Sequence, residues 1–475
     1  MTADDLFAST APFHTSAAPG TPPPGCPAHA GAADRRLYGE NAERDPMAVY
    51  EQLRQQHGSV APVLLHGDLP AWLVLGHRQN LEVMQTPSVF SRDSRHWRDM
   101  KEGRVPADHP LVPVTAWQPL IVFLDGEEHK RLRAAVTRSL SQFEARGIRT
   151  YVTRYTHELV DEFAGAGRAD LVTEFAEQLP LRVMTKLFGM LDEGPRFRDA
   201  VQDALKATAS AAASNDIVTQ GLADLVARKQ HTPGFDLPSL LMNDAAGLSR
   251  EEVREQLRLI LTAANETTVN LLANTLRVVL TDSGFRGALS GGQMTLPDGL
   301  EQVMWDDPPM MTLLGRWATS DTRLGEQHIQ AGDLLLLGLA AGNVDPTIRD
   351  EDTVVRGNRG HLAFSGGTHE CPGQDLGRGI VETAIDVLLS RLPDLELAGP
   401  KEDLSWSSSL MYRKLDALPV KFTPVRRELT PARAAHDAGS VRSVPSSPVA
   451  TPPAPATAAA SGSGAPWWKP WARQG

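Results

Sequence analysis

The stretch that decides the reading is His361-Leu362-Ala363-Phe364-Ser365-Gly366-Gly367-Thr368-His369-Glu370-Cys371-Pro372-Gly373-Gln374-Asp375-Leu376-Gly377-Arg378, a glycine-rich loop that runs into the helical pattern GRGIVETAIDVLLSRL. Glycines let a backbone lie close against a flat group. A cysteine where a helix begins has its thiolate favoured by the helix dipole, and a thiolate is the ligand that soft metals take. The competing reading is a buried structural cysteine. Such a residue needs neither glycines on both sides nor Phe364 and His369 before it.

Outward from that loop, the chain has 475 residues, 41% of them hydrophobic and 22% charged, enough apolar content for a sizeable core. Lys and Arg number 47 against 58 Asp and Glu, a net charge of −11, which argues against a nucleic-acid binder. The only cysteines, Cys26 and Cys371, allow at most one disulfide and exclude a disulfide-stapled scaffold. No basic, apolar leader opens the chain and no apolar run reaches a membrane-spanning length, so a cytoplasmic protein with no membrane span is expected.

Residues 1–44 are rich in Ala, Pro, Gly and Thr and read as a flexible arm. Residues 426–475 repeat that composition, carry six Lys or Arg against two acids, and end in WWKPWARQG. Between them 45–425 reads as one domain. DPMAVYEQLRQQ, EEHKRLRAAVTRSLSQF, RTYVTRYTHELVDEFA and GIVETAIDVLLSRL space their apolar residues at three and four, and AWLVLG and DLLLLGLA read as strands. The fold class is therefore mainly α with a small β-sheet portion. The longest helix is expected from Ser249 to about Asp282, opened by a capping box of Ser249 and Glu252; its middle, Ala263 to Thr268, is small and polar where a core helix is apolar.

Phe364, Gly367, His369, Cys371 and Gly373 form the pattern F-x-x-G-x-H-x-C-x-G, which resembles the haem-binding loop of the cytochrome P450 monooxygenases. Three further segments are similar in the family's order: His129 and Arg133 in HKRLR, Ala263 to Thr268 beside its A-G-x-E-T-T segment, and Arg316 in LLGRWAT. The resemblance spans 45–425 and implies a cytochrome P450-like fold with a long central helix over a haem b (iron protoporphyrin IX). It makes Cys371 the axial iron ligand, with His129, Arg133, Arg316 and His369 on the haem propionates, and places Phe364, Gly367 and Gly373 against the cofactor. It assigns Glu266 and Thr267 to proton delivery.

The implied activity is insertion of one atom of molecular oxygen into a small-molecule substrate. No G-x-G-x-x-G fingerprint and no four-cysteine cluster is present, so a ferredoxin and a ferredoxin reductase are the expected partners. Lys130, Arg131 and Arg138 read as a basic face that steers an acidic electron donor.

The pattern breaks where bacterial members carry E-x-x-R before a D-P-P turn. Here the chain reads Glu301-Gln302-Val303-Met304-Trp305-Asp306-Asp307-Pro308-Pro309. Aligned on the prolines, Gln302 stands for the usual Glu and Trp305 for the usual Arg, and choosing Glu301 instead still gives Met304 at the third step, so the signature ion pair is expected to be absent, as in a similar actinobacterial branch. Arg356, the expected third member, then needs rescue by Gln302, Asp306 or Asp307, while Trp305 fills the vacated volume. Ala264 for Gly, Ser365 for Gly and Pro372 after the cysteine are smaller departures. The missing E-x-x-R, Ala264 and the tryptophan-bearing tail support an alternative, a P450-like haem protein that binds a ligand or partner without efficient turnover.

Overall fold

The computed structural model describes residues 35–425 except 108, 191–193, 206–210, 350–354 and 356. These fall within the unit Met1–Arg427; Glu428–Gly475, a second unit, lies outside the described residues, as do most of the N-terminal arm and Cys26. Residues 35–44, which composition placed in the N-terminal arm, are packed. Arg36 bridges Leu64, its guanidinium and the Tyr38 hydroxyl both donate to Asp68, and Glu40–Arg44 is helical. One acid with two donors and the apolar Leu37 and Ala42 fix a stretch that composition alone does not favour.

Helices dominate. The four expected patterns fold as Pro46–His57, Gly126–Ser141, Ala145–Phe163 and Gln374–Arg391. The long helix runs Arg250–Thr281; Ser249 accepts from the Glu252 N–H and Glu252 reaches back to the Ser249 N–H, the expected capping box. Its second half carries Asn270, Asn274 and Arg277. Their side chains donate to the Pro309 carbonyl (3.1 Å), the Asp307 carbonyl (3.0 Å) and the Asp307 carboxylate (2.9 Å), so the D-P-P turn satisfies them.

The largest sheet comprises β1 (Val60–Leu65), β2 (Leu69–Val74), β3 (Phe90–Ser91), β4 (Leu313–Ala318) and β5 (Leu334–Leu337), in the order β1-β2-β5-β4-β3. β2 and β5 pair in parallel and the other neighbours are antiparallel. Between β4 and β5 the register slips at Gly315, whose φ of 96° only glycine takes readily. That bulge re-aims Arg316. Near the C-terminus β6 (Trp406–Ser408) and β7 (Arg413–Leu415) form a hairpin. No helix among the described residues is long and apolar enough to cross a membrane.

Candidate haem-thiolate site

The cysteine loop is held by its own backbone. The Cys371 N–H donates to the Phe364 carbonyl (2.9 Å) and the Ser365 N–H to the Leu362 carbonyl (2.8 Å). Gly367 sits at φ 66°, and a Cβ there would come 2.3 Å from the Met84 carbonyl oxygen, so no other residue fits. Gly373 is different: its backbone is ordinary, and a Cβ would lie 4.0 Å from the Cys371 sulfur. Ser365 takes a left-handed φ of 59° with a buried, unpartnered hydroxyl, a position where glycine carries less strain. The Arg378 guanidinium lies 4.5 Å over the Phe364 ring. Burial pushes the Cys371 thiol up, while the Gly373 N–H and the Arg133 charge favour the thiolate.

Beside this loop lies a cluster of donors with too few acceptors. Arg316 is 1% exposed; one guanidinium nitrogen makes a long contact of 3.5 Å to the Gly315 carbonyl and Nη2 has no partner. Burial drives its pKa well down, aided by the Arg92 charge. His129 is buried with Nε2 unpartnered, its ring 4.1 Å from that of His369. Arg133 donates to the Glu370 carbonyl. His369 Nε2 shares a 3.2 Å hydrogen bond with Asp125, and burial pushes the imidazole pKa down to about 3, so it is neutral. Burial works against the Asp125 charge, but hydrogen bonds from His369, Ser91 and the Arg92 N–H hold its pKa at about 2.

The structure thus brings together the four expected residues and adds two that sequence reading missed, Arg92 and Asp125. Arg92 donates through Nη1 to the Leu314 and Gly315 carbonyls and through Nε to the Val122 carbonyl, tying down the bulge. Asp125 directly precedes the HKRLR helix, one of three acids there with Glu127 and Glu128, and its position at the N-cap was its only signal.

Arg316 Nη2 and His129 Nε2, unpartnered, with Arg133 nearby, would supply the charge-assisted donors that a haem's two propionates require, and Cys371 would supply the thiolate, so the donor set fits the cofactor. Unpaired, Arg316 is a liability. Arg316→Met is expected to stabilise the haem-free protein by about 1–4 kcal/mol. The same change is expected to weaken haem retention roughly 10- to 100-fold, the worth of one or two charge-assisted hydrogen bonds. Thermal melts of apoprotein and haem transfer to apomyoglobin measure the two effects; a variant destabilised in both forms would count against this role.

The expectation that Gln302 stands in the motif's carboxylate position is corrected, while the residue three beyond Glu301 is Met304 and not Arg. Glu301, not Gln302, occupies the buried position, 3% exposed on the helix Leu296–Asp306. It accepts from Arg378 Nε (2.7 Å) and Nη2 (3.2 Å) and from His361 Nε2 (2.8 Å), with Arg359 at 3.4 Å. Gln302 is only half-buried, because the helix turns it 100° away. Asp306 and Asp307 pair with Arg349 and Arg277, and Arg356 lies outside the described residues. Trp305 does fill space: it stacks on His77 at 6.0 Å, meets His361 edge-on, and donates Nε1–H to the Asn358 carbonyl (2.7 Å).

The basic face is also corrected. Lys130 pairs with Glu127, Arg131 with Glu128 and Glu252, and Arg138 with Asp244, so all three charges are locally neutralised. On the long helix, Ala263 is exposed and Leu259, Ile260, Thr262, Ala264, Glu266 and Thr267 are half-buried, which marks an open face. The Thr267 hydroxyl donates to the Ala263 carbonyl (2.8 Å), leaving its lone pairs outward. Glu266, on the flank of that face, forms an ion pair with Lys414 of β7.

A mainly helical fold, a cysteine loop and a buried donor set that fits two carboxylates are the features of a haem-binding protein. Comparison with known proteins names the family. The chain is 30% identical over 384 residues to cytochrome P450 107B1 of Saccharopolyspora erythraea, covering 78% of this chain and 94% of the relative. It is 28% identical over 385 residues to 2-hydroxy-5-methyl-1-naphthoate 7-hydroxylase of Streptomyces carzinostaticus, covering 78% and 93%. Among solved structures, CYP154A1 from Streptomyces coelicolor A3(2) superposes with a TM-score of 0.70 at 30% identity, covering 80% of this chain and 98% of that one. No protein-family model matches. The chain belongs to the cytochrome P450 family and is a haem-binding monooxygenase.

Proposed function

We propose that this enzyme binds haem b through Cys371 and hydroxylates a small, largely apolar organic molecule with electrons from a separate ferredoxin and its reductase. The observation that carries this reading is the cysteine loop set beside the unpartnered buried donors Arg316 and His129. A bound haem-thiolate supplies the activation of molecular oxygen. The chain's own residues do the rest. Arg133, Arg316, His129 and His369 would hold and orient the propionates, and Phe364, braced by Arg378, and Gly367 would shape the wall of the cofactor site. Thr267 presents its hydroxyl lone pairs to the open face and positions water there, and Glu266 returns protons to it.

The naphthoate hydroxylase among the relatives supports hydroxylation as the outcome. The separate electron donor is supported by the lack of a nicotinamide or iron–sulfur fingerprint in the chain, and cytoplasmic residence fits such a donor. Gln302 and Trp305 mark the proposed actinobacterial branch. With Glu301 in place, their departure from the family pattern no longer favours a binding module without turnover. Residues 45–425, with the packed segment from 35, form the proposed haem domain.

A reduced carbon-monoxide band typical of thiolate ligation, followed by NADPH consumption coupled to product with surrogate redox partners, tests the reading. A panel of aromatic acids, steroids and macrolides screened for spin-state shifts selects the substrate. Thr267→Ala is expected to keep its haem while the fraction of NADPH recovered as product falls by about 100-fold, the lower end of what losing an acid–base step costs. A fully coupled variant removes Thr267 from the mechanism.

A further inference from the structure

Trp305 stands where the family pattern carries arginine, and its ring is one rung of a ladder. His77 stacks on it with centroids 6.0 Å apart and 14° between the planes, and His361 meets it edge-on at 6.0 Å. Phe364 follows His361 at 5.9 Å, and the Phe364 carbonyl accepts from the Cys371 N–H (2.9 Å). We propose that Trp305 is a redox station. When the oxidised haem-thiolate has no substrate to attack, the indole gives it one electron, and a small soluble reductant replaces that electron through His77; this role rests on the haem-thiolate reading of Cys371.

Rings in near contact pass an electron more readily than the same length of saturated chain. Within this ladder the indole is the group that gives one up, and Phe364 and His361 form the bridge between it and the cysteine loop. The two ends of the outer step differ in exposure. Trp305 is 4% exposed on the helix Leu296–Asp306, whereas His77, which opens the helix His77–Gln85, is half-buried. An oxidised indole is therefore shielded from water while the ring stacked on it is within reach of solvent. His77 is also held in place: its backbone N–H donates to Asp345 (2.8 Å) and its Nε2 lies 3.0 Å from the Gly360 carbonyl.

Charge separates Trp305 from the other tryptophans. A cation over an indole opposes loss of an electron. Guanidiniums of Arg95 and Arg413 lie 4.5 Å over Trp117 and Trp406, whereas no such contact is made to Trp305 among the described residues. The pair Trp97 and Trp317, 6.3 Å apart, is fully buried, and Trp317 directly follows the buried Arg316 on β4. Each passage through Trp305 moves one electron and no atoms. The Nε1–H stays on the indole because its partner, the Asn358 carbonyl (2.7 Å), is a poor base. Two passages consume one hydrogen peroxide, with two electrons from the reductant and two protons from solvent leaving as two water molecules.

The test mixes substrate-free holoenzyme with hydrogen peroxide, with and without ascorbate. Samples frozen early are expected to show an indole-radical resonance that narrows in protein grown on deuterated tryptophan, and peptide mapping is expected to place oxygen adducts on Trp305. Apoprotein under the same peroxide should leave buried Trp305 unmodified, since the oxidant then lacks its source at the cysteine loop. Trp305→Phe is expected to lose the resonance and to bleach its haem about threefold faster, the electron having no other quick source. His77→Leu leaves the indole and its inner contacts intact, so it should keep the resonance but slow its decay with ascorbate by about threefold. A resonance that survives Trp305→Phe, adducts on Trp97 or Trp317 in place of Trp305, or no indole resonance in a parent that gives the thiolate-type carbon-monoxide band overturns the proposal alone. An unchanged decay in His77→Leu overturns His77 as the exit. A parent without that band overturns the haem-thiolate reading and this proposal with it.

Discussion

A Cys371→Ser variant, reduced under carbon monoxide, is expected to show none of the thiolate-type Soret band that the parent gives. The effect is all or nothing because the band reports the sulfur ligand, and Cys371 is the free cysteine among the described residues. The other cysteine, Cys26, belongs to the Pro-rich segment TPPPGCP and is far from the loop in sequence. The fold should survive the change. The loop is held by the Cys371 N–H to the Phe364 carbonyl and by Gly367 against Met84, neither of which involves the sulfur. Burial disfavours the free thiolate, so haem binding and thiol deprotonation are coupled and haem uptake by the parent should release a proton. An unchanged carbon-monoxide spectrum in the variant would end the haem-thiolate assignment.

The second large effect concerns Glu301. Glu301→Gln leaves Arg378 buried without its charge partner and is expected to cost about 3–5 kcal/mol in denaturant unfolding. The loss should appear first as poor haem retention, since Arg378 braces Phe364 and His361 opens the cysteine loop. Burial opposes the Glu301 charge, but His361 and Arg378 outweigh it and hold the carboxyl below the usual range. A depressed folded-state pKa stabilises above the unfolded value, about 4.3, and that contribution is lost as pH falls through the folded value. The stability gap between parent and variant should therefore be full at pH 6 and narrow on acidification below about 4. A gap that stays constant down to pH 3 would show that packing, not charge, explains the loss.

Trp305→Arg is expected to be no rescue. Trp305 is 4% exposed between His77 and His361, and a new guanidinium there would join Arg378 and Arg359 around a single carboxylate. Adding Gln302→Glu should not restore stability, because residue 302 does not share the face of Glu301.

The sequence by itself determined the loop and its candidate ligand. Cys371, His369 and Gly367 lie within a few residues of one another, so spacing along the chain already encodes their arrangement, and local signals such as the Ser249–Glu252 capping box likewise needed no tertiary context. Helical periodicity, a property of short windows, made the mainly α class legible. Everything that depended on which distant groups meet was decided by the tertiary structure. The carboxylate of the broken motif could not be placed from an alignment on two prolines, because one residue is 100° of helix and only packing against His361 and Arg378 shows that Glu301 faces inward. Lys130, Arg131 and Arg138 looked like a free basic face until Asp244 and Glu252, more than 100 positions away, came to pair with Arg138 and Arg131. Arg92 and Asp125 stayed invisible for the same reason: a buried charge is recognised by its partners, and those partners are brought to it by the fold.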